Sequence, residues 1–144
     1  MLKGLDPLLS PDLLYALRAM GHGDELTIVD ANYPATSSGP DVIRLDAVNA
    51  TTALDAILSI MPLDDFVPEA CWAMIPVEKG AKEPAIFKEF RGVISKREGE
   101  KFKLAMLERF TFYERARSSF AVVATGERRL YGNIILKKGI IRPD

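Results

Sequence analysis

The sequence predicts an α/β fold of three layers, with helices on the faces of a largely parallel or mixed sheet. Three observations carry that prediction. Helix-periodic segments alternate with short β-type apolar runs through much of the chain. Two of those runs, Ala70 to Val77 and Phe120 to Thr125, are dense enough to read as buried strands. No internal repeat, low-complexity segment or long linker divides the chain, so residues 1–144 are expected to form a single domain.

The first helix is signposted by Ser10 as a cap, Pro11 at the first helical position and Asp12 at the positive end of the dipole. Leu13, Leu14, Leu17 and Met20 form its apolar face, and Gly21 suits a C′ position with positive φ. Glu25 to Asp30 reads as a strand, Asn32 to Pro40 as a loop and Val42 to Leu45 as a short strand. Asn49 or Thr51 caps a second helix that presents Leu54, Ile57, Leu58 and Met61, with Pro62 as its stop. Asp64-Asp65 reads as a solvated turn.

After the Ala70–Val77 run, Lys79 to Lys82 reads as a surface loop and Pro84 opens a third helix. That helix turns Ile86, Phe87, Phe90 and Ile94 inward and Lys88, Glu89 and Arg91 outward. Arg97 to Lys101 is a charged turn, Leu104 to Leu107 a strand, and Phe112 to Ser118 a short helix or turn. Around the latter, Glu114 and Arg115 are expected in solvent and the aromatics in the core. Gly126 to Arg129 turns the chain into a last strand, Tyr131 to Leu136.

Composition narrows the function. Lysine plus arginine number 19 and aspartate plus glutamate 20, so no electrostatic footprint points to nucleic acid or an acidic membrane. No apolar run reaches the ~18 residues that span a bilayer, and no signal-peptide core is present, which makes the cytoplasm the expected location. The lone Cys71 excludes an intramolecular disulfide and reads as a buried, inert thiol.

Several signatures are missing: a phosphate-binding glycine loop, G-x-G-x-x-G after the first strand, a histidine pair for zinc, and a nucleophile elbow. What remains suits proton chemistry on a polar, neutral ligand. His22 is the only histidine and lies between Gly21 and Gly23. It reads equally as a general acid or base and as a helix cap donating to the last carbonyls of the first helix. Asp30, at a strand's carboxyl end, stands where α/β sheets collect ligands, but also where an Asx turn toward Asn32 would start. Asp24 reads as a loop residue in solvent. Arg109 follows an apolar run and can fork two donors to one group. Tyr131-Gly132-Asn133 combines hydroxyl-binding groups with a glycine that permits close approach, or is an ordinary strand start.

Many motifs in order resemble the L-fucose mutarotase family, the FucU branch of the RbsD/FucU superfamily, whose other branch is D-ribose pyranase. They are Leu2-Lys3-Gly4, Leu8-Leu9-Ser10-Pro11, Gly21-His22-Gly23-Asp24-Glu25, Asp30, Pro34, Arg109-Phe110, Phe112-Tyr113-Glu114-Arg115-Ala116, Thr125-Gly126-Glu127, Tyr131-Gly132-Asn133 and Lys138-Gly139. The Phe-Tyr-Glu-Arg-Ala stretch and the Thr-Gly-Glu turn resemble the fucose branch. Between Val77 and Lys103 no motif matches.

The resemblance implies a cofactor-free, metal-free isomerase that interconverts the α and β anomers of L-fucose. It implies His22 as proton donor, Asp30 and Arg109 as sugar-binding residues, and Tyr131, Gly132 and Asn133 as the remaining binding segment. It also implies a ring-like homo-oligomer, often a decamer, with sites built across subunit contacts. The competing readings are a D-ribose pyranase using the same histidine and a non-catalytic monosaccharide-binding protein.

Overall fold

The computed structural model describes residues 1–144. Helix α1 spans Pro11–Ala19, and the Ser10 hydroxyl caps it by accepting from the Leu13 N–H at 3.3 Å. The exit differs from expectation. Met20 leaves the helix in an extended conformation, so Gly21 needs no positive φ. The left-handed residue is Gly23, at φ 87°, whose N–H donates to the Lys138 carbonyl at 2.9 Å.

Helix α2 spans Ala50–Leu58, and of the two expected caps Asn49 is the one used, accepting from the Thr52 N–H at 2.8 Å. Helix α3 spans Ala85–Glu98 and buries Ile86, Phe87, Phe90 and Ile94, the four residues its periodicity predicts. Fully burying one of these phenylalanines contributes about 1.5–3 kcal/mol. Helix α4 spans Arg109–Arg117, starting earlier than the sequence reading because the Glu108 carboxylate caps it, accepting from Phe110 and Thr111 N–H groups at 2.9 and 3.2 Å.

Six strands form one sheet: β1 (Glu25–Val29), β2 (Asp41–Leu45), β3 (Cys71–Met74), β4 (Ala105–Leu107), β5 (Ala121–Thr125) and β6 (Ile134–Lys137). Their order is β2-β5-β1-β6-β3-β4. All neighbours are parallel except β6, which runs antiparallel to both β1 and β3. The sheet is therefore mixed. One edge collects the carboxyl ends of β1, β3 and β4 together with the amino end of β6.

Alternate residues separate the layers. Leu26, Ile28, Ala73, Val123, Ile134 and Leu136 pack with α1, α2 and α3 on one face. Trp72, Met74 and Ile135 pack with Phe112 and Ala116 of α4 on the other, beside a second patch of Val29, Val122 and Ala124. Because both faces are covered, the strands read as dense apolar runs rather than as alternating ones. Cys71 is fully buried and burial pushes its thiol up to about 12, in keeping with an inert side chain.

Three burial expectations are corrected. Asp64 is buried, not solvated, and Asp65 pairs with Arg142 at 2.9 Å and Lys101 at 3.4 Å. Arg115 is half-buried: its guanidinium forks onto the Glu25 carboxylate at 2.6 Å and lies 3.6 Å from the Trp72 ring centroid. Phe110, expected in the core, is exposed because its position on α4 faces away from the sheet.

Candidate functional site

A cavity of about 200 Å³ opens at the sheet edge where the parallel strands end. Its floor is Asp30, the residue after β1, and Asn133, the residue before β6. The antiparallel insertion of β6 beside β1 is what brings them together. They clasp each other: the Asp30 N–H donates to Asn133 Oδ1 at 2.8 Å, and Asn133 Nδ2 donates to Asp30 Oδ2 at 2.9 Å. Asp30 Oδ1 accepts from the Asn32 N–H at 2.9 Å, so the Asx turn and the place in the cavity coexist. Burial pushes the Asp30 carboxyl above its ordinary value, against the pull of these hydrogen bonds.

Gly132 allows this clasp. A Cβ there would stand 2.6 Å from Glu127 Cγ and 3.3 Å from Asp30 Cβ. Its neighbour Tyr131 takes φ 62°, the only non-glycine residue with positive φ, a conformation that costs of order 1–3 kcal/mol. The Tyr131 ring lines the cavity, and β6 begins at Ile134 rather than at the expected Tyr131. The Tyr131 hydroxyl accepts from the Val77 N–H at 3.1 Å and donates to Glu78 Oε2 at 2.8 Å.

Arg109 comes from the first position of α4 and Tyr113 from one turn further along. Tyr33 enters from the loop after β1, with its ring 5.5 Å from that of Tyr113. Met74, Val77 and Leu130 supply the apolar lining. In the whole chain, the buried side-chain polar atoms lacking a hydrogen-bond partner are Tyr33 Oη and Arg109 Nε. Both residues line this cavity. Each such group costs about 1–3 kcal/mol when left unpaired, and a hydroxyl-rich ligand would satisfy both. Burial, then the neighbouring Tyr113, push the Tyr33 phenol up to about 12, so it stays a donor at neutral pH.

His22 lies elsewhere. It precedes β1 at the opposite edge of the sheet, separated from Asp30 by the full strand, a rise of about 17 Å at ~3.3 Å per residue, and it does not line the cavity. Its Nε2 lies 3.0 Å from Asp64 Oδ1, and its ring is tilted 53° against Phe66 with centroids 5.2 Å apart. Asp64 Oδ1 also accepts from the Phe66 N–H at 3.0 Å. Burial raises the Asp64 carboxyl, but the His22 and Phe66 hydrogen bonds outweigh it and hold the group below its ordinary value. A buried carboxylate of this kind accepts a hydrogen bond from Nε2–H and fixes the imidazole's orientation, leaving Nδ1 as the nitrogen not engaged by Asp64. His22 does not cap α1. The Lys138 ammonium does that, donating to the carbonyls of Leu17 and Met20.

The structure therefore gathers Asp30, Arg109, Tyr131 and Asn133 around one cavity, with Gly132 packed behind them, and leaves His22 outside it within a single chain. Sequence reasoning passed over Tyr33, Tyr113, Asp64 and Glu78. The available signal for Tyr33 was an aromatic residue directly after a strand's carboxyl end. For Asp64 there was none in the local pattern; its neighbour Leu63 pairs with Lys138, far along the chain, at an isolated bridge. No cluster of three or more His, Cys, Asp or Glu side chains has a metal-holding arrangement, and no helix is long and apolar enough to cross a membrane.

The model for the RbsD / FucU transport protein family matches residues 3–141. This chain belongs to the RbsD/FucU family. A fucose mutarotase of Homo sapiens is 48% identical over 147 residues, covering 97% of this chain and 94% of its own length. The crystal structure of the fucose mutarotase from Streptococcus pneumoniae in complex with L-fucose is 44% identical. It matches with a TM-score of 0.92 over 98% of this chain and 100% of that one. The Bacillus subtilis RbsD complexed with D-ribose, 23% identical, shares the fold, with a TM-score of 0.74 over 99% of this chain and all of that one.

Proposed function

We propose that this family member is an L-fucose mutarotase, an isomerase that interconverts the α and β anomers without a cofactor. The observation that carries the reading is the convergence of a buried carboxylate–amide clasp and two partnerless donors on one cavity of about 200 Å³. That volume lies below the 300–1,000 Å³ of sites for drug-sized ligands and suits one monosaccharide. Its mixed lining suits a sugar with several hydroxyls and one apolar end. The full-length similarity to fucose mutarotases supports the same substrate.

In this reading Asp30 and Asn133 accept and donate to sugar hydroxyls, while Tyr33 and Arg109 donate to its oxygens. Anomer exchange requires a proton at the ring oxygen and loss of one from the anomeric hydroxyl. The C1–O5 bond breaks to give the aldehyde, the C1–C2 bond rotates, and the ring recloses on the other face. His22 delivers the ring-oxygen proton from Nδ1, with Asp64 steadying the imidazolium. A hydroxyl held at Tyr131 handles the anomeric proton.

Since His22 stands at the far end of β1 from its own cavity, it acts in the cavity of a neighbouring copy. A closed ring of identical subunits satisfies this at every site, because each copy presents one cavity and one histidine to successive neighbours. We assign such a ring, a decamer, and a cytoplasmic location, where a lone buried thiol such as Cys71 stays reduced. Saturation-transfer NMR on L-fucose and on D-ribose tests the function. Accelerated exchange at C1 of L-fucose is expected. Exchange between ribose pyranose and furanose forms alone would make the protein a pyranase, and binding without exchange would make it a carrier.

A further inference from the structure

The hydrogen bonds of Tyr131 define what its hydroxyl can do. A phenol has one proton to give and two lone pairs. The proton points at Glu78 Oε2, 2.8 Å away, and one lone pair is taken by the Val77 N–H at 3.1 Å. One lone pair remains, on an oxygen whose residue lines the cavity. Tyr131 therefore faces a ligand as an acceptor, with a carboxylate behind it. The positive φ at Tyr131 and the exclusion of any side chain at Gly132 hold the ring in that pose. Val77 lines the cavity and Glu78 follows it, so one loop supplies both partners of the hydroxyl.

We propose that Glu78 is the positioning residue of the second proton path, receiving the Tyr131 proton while Tyr131 receives the proton of the anomeric hydroxyl. The inference rests on the mutarotase reading. As the ring opens, the anomeric O–H bond breaks and its proton goes to Tyr131 Oη. The Tyr131 proton passes to Glu78, the C1–O1 bond gains its second pair, and the C1–O5 pair stays with the ring oxygen, which takes the His22 proton. Reclosure runs the transfers backward, so Glu78 returns to its carboxylate and His22 to its imidazolium. No external acid, base or redox partner is consumed.

Glu78 is exposed and suited to the task on two further counts. Its hydrogen bond from Tyr131 holds its carboxyl below the ordinary glutamate range, keeping it ionised at neutral pH. The Val77 N–H and the charge of Arg109 favour negative charge on the Tyr131 oxygen, but burial and Glu78 outweigh them and hold the phenol above its ordinary value. Tyr131 therefore passes its own proton on as it takes one up rather than resting as a phenolate.

The experiment compares Glu78→Gln, Glu78→Asp and Tyr131→Phe with the wild-type protein, using saturation-transfer NMR for the exchange rate and titration for L-fucose affinity. Glutamine still accepts the Tyr131 hydrogen bond but cannot take its proton. E78Q is expected to slow exchange by roughly 10²-fold, within the usual range for a general acid–base contribution, with affinity unchanged and the acid limb of the rate–pH profile removed. E78D is expected to restore part of the rate, and the Y131F/E78Q pair to be no slower than Y131F alone, since the two act in series. Wild-type exchange by E78Q, or a rate loss matched by affinity with the acid limb intact, overturns the inference. If the wild-type protein does not accelerate L-fucose exchange at all, the mutarotase reading fails instead.

Discussion

The two ends of β1 carry two aspartates with opposite fates. At the carboxyl end, Asp30 is buried in a cavity floor and its carboxyl is pushed up by desolvation. At the amino end, Asp64 is equally buried, yet is held down by an imidazole and a backbone N–H. Burial alone would raise both. The difference lies in the partner: a neutral amide, Asn133, offers hydrogen bonds without charge, whereas His22 brings a group that can become cationic. In the proposed function the first end holds the sugar's hydroxyls and the second supplies the proton, and on that reading a site is completed only beside another copy.

Breaking the second end gives the largest effect. Replacing His22 with alanine should slow L-fucose anomer exchange by ~10²–10⁴-fold and largely keep affinity, because none of the residues lining the cavity is altered. An equal loss of affinity, measured by titration, would make His22 a sugar-holding residue rather than the proton donor.

A mixing experiment sharpens the same contrast. Copies of His22→Ala retain the cavity and copies of Arg109→Ala retain the His22–Asp64 pair. Randomly reassembled one to one, they should regain about a quarter of wild-type activity, the fraction of contacts pairing two intact halves. No recovery from verified mixed rings would contradict the shared site.

At the first end, Asp30→Asn sets an amide against the Asn133 amide. Losing hydrogen bonds to a charged acceptor costs about 1.5–3 kcal/mol, so L-fucose affinity should fall by roughly ten- to a hundred-fold. Exchange at saturating sugar should suffer less. A falling rate at unchanged affinity would move Asp30 from holding the sugar to the chemistry.

The smallest effect is a titration order. As pH falls, Asp30, with its raised value, takes a proton before Asp64, with its lowered one. Asp64's stabilisation is present above the ordinary carboxylate pKa and is lost only as pH drops through its depressed folded value. Asp30 runs the other way, since its folded state favours the neutral carboxyl and acidification through that value removes no stability. Carboxyl NMR on the two aspartates reads the order directly. Coincident titration would erase the distinction between the two ends.

Much of this was legible locally. Caps at Ser10 and Asn49, the inward face of α3 and the dense strands follow from short-range pattern, because they depend on neighbours a few residues apart. Asp30, Arg109 and the Tyr131–Asn133 segment were recognisable by chain-wide motif resemblance, and Asp30, Arg109, Tyr131 and Asn133 line one cavity. The corrections at Asp64 and Arg115 involve long-range partners. Asp64 looked like a turn residue until His22 reached it across 42 positions. Arg115 looked solvated until Glu25 met it across 90.

The sequence by itself determined the layers, the strand-end address of Asp30 and the glycine-flanked isolation of the only histidine. Periodicity and local propensity suffice for those. Only the tertiary structure decided that β6 enters antiparallel beside β1, which joins Asn133 to Asp30 and carries Lys138 to the end of α1. It also decided that His22 answers to Asp64 rather than to its own helix. Strand order and burial are set by the whole core packing at once, and no local pattern encodes which distant group will supply a buried charge with its partner.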